Sequence, residues 1–100
     1  MTPESKLLAA VTRYLRSLKA SGVPIEWTKS AGSPMQKRGL PDLLVIISGP
    51  GRCRAIFIEL KAPGRKPTRL QAEMLKRLRA AGATAVVCYS VAEVRELIEA

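Results

Sequence analysis

The stretch GLPDLLVIISGPGRCRAIFIELKAPGRKPTRLQ, residues 39–71, decides the fold of this chain. LLVII (43–47) is a continuous apolar run, SGPGR (48–52) is turn chemistry, and CRAIFIEL (53–60) returns as a second apolar run. That pattern predicts a β-hairpin whose strands are buried on both faces. A turn centred between Pro50 and Gly51 brings Asp42 opposite Glu59, with their Cβ atoms about 5 Å apart. A slip of two residues leaves the acids as diagonal neighbours, still within reach of one small ion. Lys61 lies two residues beyond Glu59 and projects from the same face. Three charged side chains therefore converge on one end of the hairpin, where an ordinary hairpin needs none.

On the N-terminal side, Thr2-Pro3-Glu4 reads as N-cap, N1 proline and first-turn acid, and Leu7, Leu8, Val11, Leu15 and Leu18 recur at helical spacing. A helix to about Ala20 follows, stopped by Gly22 and Pro24. Ile25–Thr28 is short, alternating and β-prone, and the segment KSAGSPMQKRG (29–39) has the composition of a surface loop. On the C-terminal side, Thr68 and Gln71 form a T-x-x-Q capping box that opens a helix with Leu70, Met74, Leu75 and Leu78 as its apolar face, ending at Gly82. Residues 84–89 (TAVVCY) form a further strand, and Ser90 with Glu93 caps a last short helix carrying Val94, Leu97 and Ile98. The order is α-β-β-β-α-β-α, an α/β domain spanning residues 1–100 with no internal repeat.

A chain of 100 residues that is 47% hydrophobic can build one modest core. No apolar run approaches the ~20 residues needed to span a bilayer, and the N-terminus lacks a signal-peptide pattern, which predicts a soluble, cytoplasmic protein with no membrane partner. Cys53 and Cys88 fall in apolar strand segments and read as small core residues. The absence of histidine excludes imidazole zinc sites, His-based acid–base catalysis and Ser-His-Asp triads. Seventeen Lys and Arg against eight Asp and Glu leave a formal charge of +9, which calls for a polyanionic partner, nucleic acid ahead of a lipid surface.

Like charges facing each other across a hairpin are destabilising unless something compensates, and a cation does so. Two close carboxylates with backbone carbonyls and water make the hard oxygen site that Mg²⁺ or Mn²⁺ prefers, the more so when a phosphate completes the octahedron. Lys61 beside such an ion can orient a water or neutralise charge on a phosphorane-like transition state. The reaction class is metal-assisted phosphodiester hydrolysis. The charges alone also fit a plain solvated pair at a strand end, with Asp42 serving only the turn after Pro41.

GLPDLLV, then IELK, then a glutamine ten residues after the lysine, together resemble the PD-(D/E)xK nuclease superfamily, and within it the VRR-NUC branch. The resemblance runs from Glu4 to the last helix, and it implies a restriction-endonuclease-like core with a mixed central sheet. It makes Asp42 and Glu59 the metal-binding carboxylates for Mg²⁺ or Mn²⁺, the Leu60 carbonyl a further ligand and Lys61 the catalytic lysine. Gln71 matches the helix glutamine beside the family's active site, although its capping box explains it fully as well. Glu4 matches an acid on the first helix that supplies a further ligand or supporting contact; alone, it reads as a first-turn acid favoured by the helix dipole.

Lys37, Arg38, Arg65, Lys66 and Arg69 flank this site and are the candidate nucleic-acid contacts, whereas Lys76, Arg77 and Arg79 fit a solvated helix face equally well. Trp27 reads as a core residue, and Glu93, Glu96 and Glu99 as the exposed side of the last helix. The chain resembles the stand-alone members found in phages and bacteria, which implies a homodimer acting on branched DNA such as four-way (Holliday) junctions, in a bacterial cell or phage-infected host. With no separate reader of base sequence, recognition is expected through nucleic-acid shape and phosphate contacts. The alternative is a non-catalytic nucleic-acid-binding module that retains the nuclease fold; paired acids count against it.

Overall fold

The computed structural model describes residues 1–30 and 39–100; Lys37 and Arg38 lie outside them. Helix α1, Pro3–Ala20, starts as its sequence dictates: Thr2 stays extended and its hydroxyl accepts the Ser5 N–H at 3.1 Å, with Pro3 at the position where no N–H is needed. Three strands follow, β1 (Ile25–Lys29), β2 (Leu43–Gly49) and β3 (Arg52–Leu60), and then α2 (Arg69–Ala80), β4 (Thr84–Cys88) and α3 (Val91–Glu99). The capping box of α2 is complete, with Gln71 N–H donating to the Thr68 hydroxyl and Thr68 N–H donating to Gln71 Oε1 at 2.9 Å.

The four strands lie side by side in chain order. β1–β2 and β2–β3 are antiparallel, and β4 runs parallel to β3 after the α2 crossover, so the sheet is mixed as expected. Pro50 and Gly51 alone join β2 to β3. Gly51 takes φ +71°, the positive value that the second position of a tight Pro-Gly turn requires. The register then pairs Leu43 with Ile58 and Gly49 with Arg52, and one further step sets Asp42 opposite Glu59.

One face of the sheet meets α1 and α3. Ile25, Leu43, Val45, Ile47, Ile56, Ile58, Leu60 and Cys88 pack there with Val11, Leu15, Val94 and Ile98 into one core. Each such side chain contributes roughly 1.5–3 kcal/mol on leaving water. The two helices are tied by the Tyr14 hydroxyl, which donates to Glu99 at 2.6 Å, and Arg54 clamps the end of α3 by donating to the Ile98 carbonyl at 2.7 Å. α2 packs against β4, and its buried Met74 and Leu75 stand outside that core.

Several expectations are corrected. β2 is not buried on both faces: Leu44 and Ile46 are half-buried, alternating with the buried Leu43, Val45 and Ile47, because α2 sits over β4 at the sheet edge. Cys53 is exposed near the hairpin turn, while Cys88 is core. Leu70 is 51% exposed, and the buried residues of α2 are Met74 and Leu75, one and more turns further along the helix. Glu93 is not simply surface: its carboxylate accepts the Tyr89 N–H, and Glu99 holds Tyr14. Trp27 packs half-buried on the core with the Lys19 ammonium 5.9 Å from its ring centre. No helix among the described residues is long and apolar enough to cross a membrane.

Candidate active site

The open end of the β2–β3 hairpin carries the charges. Asp42 immediately precedes β2, Glu59 is the penultimate residue of β3, and Lys61 directly follows it. Lys61 remains aligned past the strand end because its N–H donates to the Cys88 carbonyl on β4 at 3.1 Å. On the other side, Ser30 N–H donates to the Asp42 carbonyl at 2.8 Å, and Pro41 is buried. The Asp42 side chain is aimed by its own partner strand: Oδ2 accepts the Leu60 N–H at 2.7 Å, a charge-assisted bond that fixes the carboxylate across the hairpin.

Glu59 is only 2% exposed, and Lys61 8%. The Lys61 ammonium stands 3.6 Å from Glu59 Oε2 and 3.8 Å from Glu4 Oε1, so the first turn of α1 delivers an acid to the same point. Glu4, Asp42 and Leu60 also line a small open cleft of about 210 Å³. The carboxylates Glu4, Asp42 and Glu59 thus share one ammonium, and the site is locally anionic inside a chain of charge +9.

Both hairpin acids are raised above the usual carboxylate range, by burial first. Burial, and next the charge of Asp42, push Glu59 from 4.5 up to about 7, with Lys61 opposing. Asp42 is also raised by burial, held back by the Leu60 N–H and by Lys61. Glu59 Oε1 is buried and has no hydrogen-bond partner among the described residues. An orphaned anionic oxygen beside a second carboxylate suits a hard divalent cation, and the donor set is oxygen throughout. Among the described residues no group of three or more His, Cys, Asp or Glu side chains forms a ready-made metal cage, so carbonyl and water oxygens would have to complete any coordination.

The remaining candidates fall around this centre. Gln71 spends its Oε1 on the Thr68 cap. Yet its helix turn is held against the GLPD segment, because Gly39, at φ +82°, runs so close that a Cβ there would lie 2.7 Å from the Leu70 carbonyl oxygen. Arg65, Lys66 and Arg69 are exposed at and before the start of α2, Arg69 with a weak Glu73 contact at 3.4 Å. Arg79 is withdrawn from that group, since its Nε donates to the Ala85 carbonyl at 2.6 Å and ties α2 to β4. The resemblance pointed to Glu4 as a contact of the site but not to its pairing with Lys61, and sequence reasoning missed the close approach at Gly39. The only signal for the second was a glycine three residues before the acid.

Residues 33–92 match the VRR-NUC domain family. A solved structure described as a VRR_NUC domain superposes with a TM-score of 0.76 at 29% identity, covering 99% of this chain and 97% of its own. A second, described as a VRR_NUC domain protein, gives the same TM-score at 24% identity over 99% of this chain and 87% of its own, a likeness of fold. No curated protein sequence matches. The three helices on a mixed four-stranded sheet form a restriction-endonuclease-like fold, and the chain belongs to the VRR-NUC family of nuclease domains.

Proposed function

We propose that this chain is a Mg²⁺- or Mn²⁺-dependent, structure-selective endonuclease that hydrolyses DNA phosphodiester bonds, with branched DNA such as four-way junctions as its substrate and a homodimer as its working form. One observation carries the reading: a buried carboxylate with an unsatisfied oxygen, Glu59, faces Asp42 with a single lysine between strand end and helix. A module that only bound phosphate would gain nothing from acids there.

Asp42 and Glu59, with the Leu60 carbonyl and Glu4 as a further contact, are the groups that would hold the ion. When bound, it supplies Lewis-acid polarisation of the phosphate and a more acidic water. Lys61, already buried among the acids, presents its ammonium to the phosphoryl oxygens as negative charge builds there. Gln71 offers its amide nitrogen from the start of α2, its oxygen being engaged in the cap. Arg65, Lys66 and Arg69, with Lys37 and Arg38, hold the backbone on either side of the scissile phosphate. Contacts of that kind select shape rather than base sequence.

The test is incubation of the purified protein with labelled duplex, flap and four-way-junction DNA. Cutting of the junction is expected with Mg²⁺ or Mn²⁺ and none in EDTA, while Ca²⁺ supports binding without turnover because it takes looser geometry. Undiminished cutting in EDTA rules out the metal, and a preference for plain duplex rules out the branched substrate.

A further inference from the structure

The outer side of α1 has no role in the site described above. The helix turns Val11, Leu15 and Glu4 toward the sheet, and the opposite side consists of Lys6, Ala9, Arg13, Arg16, Ser17 and Ala20, all exposed. Glu4 is the sole acid of α1, and it faces Lys61. Lys6, Arg13 and Arg16 have no anionic partner among the described residues, unlike Lys19, which is held by Glu26 at 2.6 Å. The acids of this side of the molecule are gathered instead on α3, where Glu93, Glu96 and Glu99 lie.

We infer that this side of α1 is a second phosphate-binding surface, which receives the backbone of a DNA duplex leading away from the cleavage point. The inference rests on the nuclease reading of the site. Charge complementarity carries it: Lys6, Arg13 and Arg16 line one exposed side of α1, and the stripe begins in the same first turn whose other side gives Glu4 to Lys61. Ten residues of helix separate Lys6 from Arg16, roughly 15 Å. A duplex presents about nine phosphate charges over that length. A lipid surface fits less well, because α1 has no apolar anchors to insert: Val11 and Leu15 are 0% exposed, fully spent on the core. α2, with Arg69 in its first turn and Arg65 and Lys66 just before it, packs instead against β4, outside the core that α1 covers.

The test compares the full-length parent, a Lys6→Gln/Arg13→Gln/Arg16→Gln variant and a charge-keeping Lys6→Arg/Arg13→Lys/Arg16→Lys variant. Each is titrated with labelled linear duplex DNA in Ca²⁺ over a range of salt, and its thermal melt is recorded. All three positions are exposed, so the melts should coincide. The glutamine variant should bind at least about tenfold more weakly near physiological salt, with a slope of log K against log salt shallower by about 2 to 3, and the charge-keeping variant should restore both. A glutamine variant with the parent's slope, meaning a solvated face only, overturns the inference and leaves the nuclease reading intact. So does failure of the charge-keeping variant to restore binding, or tighter binding of the stripe to anionic vesicles than to duplex. A parent that neither binds nor cuts any DNA overturns the nuclease reading itself.

Discussion

Burying a carboxylate costs several kcal/mol after relaxation, and Glu59, with Lys61 at 3.6 Å and one oxygen unpartnered, recovers only part of that. The folded chain answers by holding the Glu59 proton up to about pH 7, whereas the unfolded chain releases it near 4.5. A group raised in this way contributes stability that is complete below 4.5 and is lost as pH rises toward 7, because there the unfolded state ionises freely and the folded state does not. In EDTA, denaturant midpoints should therefore fall between pH 4.5 and 7 and stay low above it. Asp42→Asn removes the facing charge while its side-chain oxygen can still accept the Leu60 N–H. At pH 8 in EDTA the variant should be more stable than the parent by ~0.5 kcal/mol or somewhat more, with a shallower pH decline. It should also lose both the stabilisation by Mg²⁺ and cleavage. A variant still stabilised by Mg²⁺, or still active, would mean that the two acids do not act as a pair.

At the scale of elements, the docking of α2 onto the GLPD segment is the joint on which Gln71 and Arg69 depend. Gly39→Ala places a methyl 2.7 Å from the Leu70 carbonyl at a positive φ, and Gly22→Ala, at φ +97°, meets nothing within 4 Å. Both variants bear the backbone strain of about 1–3 kcal/mol, so their difference isolates the close approach. Gly39→Ala should be the less stable and should lose cleavage, while Gly22→Ala should cut as the parent does; equal cutting by both would detach α2 from the site. Much at this scale was legible in the sequence, because it is local: Thr2-Pro3, Thr68 with Gln71, and Pro50-Gly51 each fix geometry within four residues, and the turn alone set Asp42 against Glu59. What stayed hidden depends on how distant elements dock. The pairing of Glu4 with Lys61 spans 57 positions, Leu70 is left exposed, and Arg79 turns back to β4. No periodicity encodes such encounters.

The described residues of each chain form one candidate site, and if the proposed junction substrate is to be resolved symmetrically it needs two incisions, which two copies related by a two-fold axis can deliver from one composite basic surface. Light scattering at micromolar concentration should give twice the chain mass of 10.9 kDa. A mass of one chain, with both strands of a junction cut in a single encounter, would contradict the pairing. The sheet order adds a kinetic aspect. β1, β2 and β3 lie beside their chain neighbours and only β4 arrives by a crossover, so the hairpin can zip from Pro50-Gly51 before α2 is in place. The acids occupy the end of that zipper farthest from the turn, where a hairpin frays first. The Leu60 N–H clasps it there by donating to Asp42. An ion held by Asp42 and Glu59 would act as a second clasp, so that opening of the hairpin mouth and loss of the ion become one event, visible as deuterium uptake at the Leu60 amide.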